Sequence, residues 1–356
     1  MICIILDVYN ILPQNFERKE LMKEIIENGR IRFWLKSKGK GHDSKKFVVN
    51  RFILLDDLFF EGLGLWQGEG SKSKGLYFGN NCPALINHFL NFVEEKLGIR
   101  RDEFRVTVNS PNLNRKEELI KERWSELLRI PVKNFTNVCY DTRIRKEYVQ
   151  VYINGIALLC LIRTLHERLR PSVSQNISFL VPYLRGFFAA EGSVVLRPET
   201  GSLFHVDFSH TRENGIVDFI RSGLIKLGVK PGKYTDHDKK FQVYGRKNFE
   251  ILKKHDICGL HPQKRKRFEE GFSKISRKVE DPAEVKIKIL RLLLQGPLGY
   301  TQISKKLQKG RSTIQSYYIP RLEKNGLVKR FGKRRQAWLF GITKKGKEWL
   351  KDQTLL

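Results

Sequence analysis

The sequence is short of acids, sparing with cysteine and free of long apolar runs. It carries 38 Asp and Glu against 67 Lys and Arg, a formal net charge of +29. So large an excess strains a compact fold by self-repulsion and points to a polyanionic partner, nucleic acid first and an anionic membrane surface second. The five cysteines, Cys3, Cys82, Cys139, Cys160 and Cys258, are scattered without a C-x-x-C pair. That spacing excludes a cysteine-clustered zinc site and a disulfide framework, and it fits free thiols in a reducing compartment. The apolar opening ends at Asp7 with no basic leader or cleavage site, so no signal peptide is expected. The longest later apolar run, Ile156 to Ile162, falls far short of the roughly 20 residues of a membrane-spanning helix. A soluble, cytoplasmic chain is expected.

What is present suffices for a packed interior, with 40% hydrophobic and 11% aromatic residues over 356 positions. At roughly 100 to 200 residues per domain, this length implies two or three domains. Residues 1–50 read as an extension: a short strand, an amphipathic helix near Glu20 to Asn28, a strand from Arg30 to Leu35, and a basic loop from Lys36 to Lys46. From Asp56 an apolar helix ends in glycines and an acid, Gly62-Leu-Gly-Leu-Trp-Gln-Gly-Glu69-Gly70, and a related run returns at Leu184-Arg-Gly-Phe-Phe-Ala-Ala-Glu191-Gly192. The segments after the two runs are patterned alike, so two repeats are expected, 51–175 and 176–270, each helix, strand, strand, helix, strand, strand, helix. In the first, residues 110–146 read as a charged insertion, and helix Gly155 to Leu169 closes it. Arg170-Pro171 marks the hinge, and the second repeat places strands near Lys233 to Thr235 and Lys240 to Tyr244.

A loop-like linker, 271–283, leads to a different pattern at 284–356. Helices are expected at Glu284 to Gln295, Thr301 to Leu307 and Ser312 to Asn325, the last with Ser312 as N-cap. Two strands then flank Gly332 to Arg335, and Thr343 caps a final helix. This is the order of a winged helix-turn-helix. Residues 284–356 hold eighteen Lys and Arg against four acids, nearly half of the net charge of the chain. Arg311, Ser312, Thr313, Gln315, Ser316 and Tyr317 open the third helix with groups suited to phosphates and base edges. Lys329, Arg330, Lys333, Arg334 and Arg335 form a cationic wing.

In both acid-ended runs a glycine, Gly64 or Gly186, stands five residues before the acid. Small residues let two helices touch, which brings Glu69 and Glu191 out at one end of the pair. Two adjacent carboxylates call for a cation between them, and Mg²⁺ held by carboxylates and a phosphate is a common arrangement for phosphodiester cleavage. On these two nine-residue runs the chain resembles the single-chain, two-repeat LAGLIDADG homing endonucleases over about residues 56–260. Gln67 and Ala189 replace the first acid of that motif.

The resemblance implies an α+β fold of two pseudo-symmetric αββαββα repeats, whose strands form a β-saddle in the major groove of DNA. It implies Glu69 and Glu191 as acids binding Mg²⁺ or Mn²⁺. A water-positioning polar residue is expected at Asn80, Asn81 or His210, and a catalytic lysine at Lys247 in the second half only, since Gly155 stands at its place in the first. The function expected is site-specific, metal-dependent cleavage of double-stranded DNA by a monomer with internal pseudo-two-fold symmetry. A non-catalytic DNA-binding regulator on the same scaffold is the alternative, and a nuclease for structured RNA uses the same acids.

Overall fold

Asn28 and Gly29 both take left-handed backbone angles, φ 61° and 66°, which Asn and Gly tolerate best and which join antiparallel strands. The computed structural model, which describes residues 4–37, 41–71, 73, 75–113, 115–209, 215–234, 239–275, 282–334 and 337–352, has a hairpin there in place of the expected helix. After β1 (Ile5–Asp7), the single turn α1 (Val8–Ile11) and β2 (Asn15–Phe16) comes β3 (Lys19–Ile26). It pairs antiparallel with β4 (Arg30–Lys36), and β4 with β5 (Phe47–Asn50). Glu20 and Glu24 lie directly across from Lys36 and Arg32, opposite charges that favour this register. Ile31, Phe33 and Leu35 of β4 are buried. The head is no separate extension, because β6 (Phe52–Leu54) pairs with β1, and Val8, Phe33 and Phe47 belong to one core that continues to Phe268.

The chain continues with α2 (Asp57–Glu69), β7 (Gly75–Asn80), α3 (Pro83–Phe92), β8 (Arg105–Ser110), α4 (Glu117–Leu128), β9 (Phe135–Tyr140), β10 (Tyr148–Asn154) and α5 (Ile156–Gln175). The strands form one sheet in the order β7-β10-β8-β9. Among the described residues between α2 and α3, β7 is the one full strand, with a single bridge from Gly70 to Phe78 beside it. The segment expected as an insertion supplies α4 and β9, and β9 extends the sheet parallel to β8. Helix α5 passes through Pro171, so the break falls at Asn176 and not at Arg170-Pro171.

The second half comprises α6 (Ile177–Glu191), β11 (Gly192–Leu196), β12 (Leu203–Ser209), α7 (Ile216–Lys226), β13 (Lys240–Tyr244), α8 (Arg246–Lys254) and α9 (Pro262–Ser273), with a sheet in the order β11-β12-β13. Lys233 and Tyr234 form no strand, and Thr235 lies outside the described residues. The two halves are mixed α and β, and among the described residues neither shows every strand of the αββαββα order expected for it. Helix α9 runs across the boundary expected at residue 270, and the compact units divide between Ile275 and Ser276.

The second unit has a core of its own, including Val285, Ile289, Ile303, Ile314 and Phe340. Its elements are α10 (Pro282–Leu294), β14 (Leu298–Gly299), α11 (Tyr300–Leu307), α12 (Arg311–Thr313), α13 (Ile319–Lys324), β15 (Val328–Arg334), β16 (Ala337–Ile342) and α14 (Lys344–Asp352). Gly310, and not Ser312, caps the third helix. Residues Ile314–Tyr318 widen into a π-turn just ahead of Pro320, which has no N–H to give.

Candidate active site

Helices α2 and α6 run side by side in the same direction because glycines leave no side chain between their backbones. A Cβ on Gly64 would strike the Tyr183 carbonyl and the Phe187 nitrogen, and one on Gly186 would strike the Glu61 carbonyl. One on Gly68 would strike Ala190 and Cγ of Glu191. Both helices therefore end together, α2 at Glu69 and α6 at Glu191, each followed by an extended glycine. Away from that end, Phe60 stacks on Phe179 at 4.4 Å. Glu61, buried, receives Nη1 of Arg185 at 2.5 Å, and Nε2 of His88 stands 2.8 Å from its other oxygen. Burial pushes the Glu61 pKa up, but the hydrogen bonds from His88 and Arg185 outweigh it and hold the carboxyl below its ordinary value.

A cavity of about 350 Å³ opens at Glu69. Asn80 and Asn81, at the end of β7, line one side with Tyr148, and α9 supplies Lys264 and Arg267 on the other. Asn80 is buried and its Oδ1 accepts from the Cys82 nitrogen at 2.9 Å. Lys264 is partly buried, and its Nζ donates to the carbonyls of Phe188, Ala189 and Ala190 at 3.2, 2.6 and 3.1 Å. These carbonyls belong to the last turn of α6; that of Phe188 also accepts from the Gly192 nitrogen, while those of Ala189 and Ala190 lie past the last helical donor. Burial lowers the Lys264 pKa to about 8 against the upward pull of Glu69 and then Glu191. His261 caps α9, its Nδ1 accepting from the Gln263 nitrogen at 3.2 Å; burial first and Lys264 second lower its pKa to about 4, so it is neutral at pH 7.

Of the residues expected from sequence, Glu69, Asn80 and Asn81 share this cavity, and the Glu191 side chain lies against the last turn of α2. Lys247 is exposed in the first turn of α8 and does not line the cavity, whose lysine comes from α9. A Cβ at Gly155 would strike the tip of the Phe47 ring of β5, which would have to shift to admit a side chain there. His210, Arg335 and the side chains of Lys333 and Arg334 lie outside the described residues. Lys264 is the residue that sequence reasoning missed. Its signal was a basic helix opened by proline, His261-Pro-Gln-Lys-Arg-Lys-Arg267. Among the described residues no three His, Cys, Asp or Glu side chains gather as metal ligands.

In the second unit, Arg311, Ser312, Thr313, Gln315, Ser316 and Tyr317 are exposed while Ile314 and Tyr318 face inward. Arg321 stacks on the Tyr317 ring at 3.5 Å, and Arg330 covers Trp338 at 5.0 Å. Lys329 and Arg330 are exposed at the start of the hairpin.

Residues 283–330 match the family described as bacterial regulatory protein, arsR family. The match is to its helix-turn-helix and spans α10 to the start of β15. A solved structure of mesophilic variants of the homing endonuclease I-DmoI is also similar, at 15% identity and a TM-score of 0.35, over 58% of this chain and 92% of that one. No curated protein matches the chain. Among the described residues no helix is long and apolar enough to cross a membrane.

Proposed function

We propose that the protein is a site-specific, metal-dependent endonuclease of the LAGLIDADG homing type, acting on double-stranded DNA as a monomer, with the helix-turn-helix as a second DNA contact. The observation that carries this reading is the parallel pair of glycine-packed helices that end in Glu69 and Glu191 beside a cation-bearing cavity. The donors fit Mg²⁺ or Mn²⁺, since Glu69, Glu191 and the Asn81 amide offer hard oxygens, and phosphate and water complete such a shell. A divalent ion bound there would lower the pKa of water and stabilise the leaving oxygen. The chain's own part is to place the substrate. Arg267, at the cavity wall, would neutralise phosphate, and Asn80, which lines the same cavity with its oxygen fixed by the Cys82 nitrogen, would offer its amide N–H groups to water or substrate.

The exposed third-helix residues and the start of the wing read DNA or grip its backbone. The net charge of +29 implies affinity that falls steeply with salt. The test is cleavage of a randomised duplex library in Mg²⁺, with the released ends then sequenced. Glu69→Gln and Glu191→Gln should each slow cutting by about a thousandfold, roughly 4 kcal/mol of barrier; a wild-type protein that cuts no duplex at low salt would sink the proposal.

The arsR-family match favours a second reading, a DNA-binding regulator without catalysis. It requires binding in EDTA to survive replacement of both glutamates, with no cutting of DNA or of structured RNA.

A further inference from the structure

Carboxylates at the C-terminal ends of two parallel helices sit where both helix dipoles are negative, so each is repelled by its own helix and by the other acid. A cation beside both helix ends would relieve this. Lys264 is so placed: its ammonium closes on the last carbonyls of α6 through three hydrogen bonds, the last of them on Ala190 next to Glu191, and it lines the cavity that Glu69 of α2 also lines. The two glutamates are the charges that pull its pKa upward most strongly against burial. Helix α9 holds it in place from the far side, where Phe268 is buried against Phe249 and Phe272, and Gly271 packs on Leu196 and Leu203.

We propose that Lys264 is the built-in counter-ion of the Glu69 and Glu191 pair, a positioning residue that holds the two carboxylates together in the metal-free protein. The assignment of Lys264 as counter-ion stands on its hydrogen bonds at the α6 end and on the cavity it shares with Glu69. Its consequence for cation affinity rests on the nuclease reading above. A divalent ion seated between the glutamates would share their charge with the ammonium, so Lys264 keeps cation binding weaker than two bare carboxylates would make it.

The test is a mutant cycle on the full chain in EDTA. Lys264→Met should lower the melting temperature by about 5 °C or more, and most of that loss should vanish in the Glu69→Gln, Glu191→Gln background, where there is no charge left to balance. Equal losses in both backgrounds would make Lys264 a cap of α6 alone and overturn the proposal. Should Lys264→Met not fold, the triple variant must fold, and its failure to do so has the same force.

The second measurement is Mn²⁺ titration read by electron paramagnetic resonance. Lys264→Met should bind Mn²⁺ about tenfold more tightly than wild type, and Lys264→Arg, which keeps the charge, should bind as wild type does. Equal Mn²⁺ affinities for wild type and Lys264→Met would refute the effect on cation binding. If no variant binds Mn²⁺ while the coupling in EDTA persists, the counter-ion stands and the metal-dependent reading of the site falls.

Discussion

Glu61 is an acid buried against α6 with Arg185 and His88 for company, and its protonation ties the helix pair to pH. Its folded pKa lies below the ordinary 4.5. The stability it contributes is therefore fully present above about pH 4.5 and is lost as pH falls through the folded value. Glu61→Gln should cost about 3 kcal/mol near neutrality, because it removes the buried carboxylate that faces the mostly buried guanidinium of Arg185. Urea denaturation across a pH series should show the gap between wild type and variant closing on acidification; a gap that stays constant would mean that packing, and not charge, is what Glu61 supplies. Single residues also mark where sequence reading reached its limit. Glu69 was legible because a glycine-spaced helix end is a local pattern. Lys264 was not, since its bonds to α6 span more than seventy positions, and the proline-opened basic run around it marks a charged helix without saying which of its four cations turns inward.

Among the elements, the α2 and α6 pair is the most exacting. Gly64→Ala drives a methyl into the Tyr183 carbonyl, a backbone group that cannot swing aside. It should cost about 3 kcal/mol, the upper range for overpacking; a denaturation midpoint equal to that of wild type would show that the helices separate freely. This crossing could be anticipated because glycine spacing reports close approach whatever surrounds it. Strand β3 could not be read from its periodicity, because Lys-Glu-Leu-Met-Lys-Glu-Ile-Ile suits either a helix or a strand. The Asn28-Gly29 turn was the signal that decided it. Strand β9 escaped for another reason: its partner β8 lies parallel and across an intervening helix, so no hairpin marks it. The strand count in the first half differs at Gly70, where the described residues show a single bridge.

The whole molecule is two compact units, and each should answer separately for DNA affinity. Residues 1–275 expressed alone should fold, since their core is continuous and excludes the second unit. On a duplex substrate the shortened protein should bind more weakly. Its plot of log affinity against log salt should be shallower by about 0.9 for each phosphate that the second unit neutralises in the full chain. Fluorescence anisotropy over a salt series measures this, and an unchanged slope would take the helix-turn-helix off the DNA. The mixture of helix and strand, and the change of unit near residue 282, were readable because charge and pattern change abruptly there. The joining of the head to the first unit was not, because it depends on β1 meeting β6 and on Phe47 reaching Gly155.

The meeting of Phe47 with Gly155 bears on the chemistry of the duplex as a whole. On the proposed nuclease reading, a phenyl ring stands at Gly155 where the second half carries Lys247, so the two halves differ and the two strands should be cut at unequal rates. A supercoiled plasmid carrying the target should relax to the open-circular form first and become linear later, and quenched time points on a gel would show the singly broken circle rising and then falling.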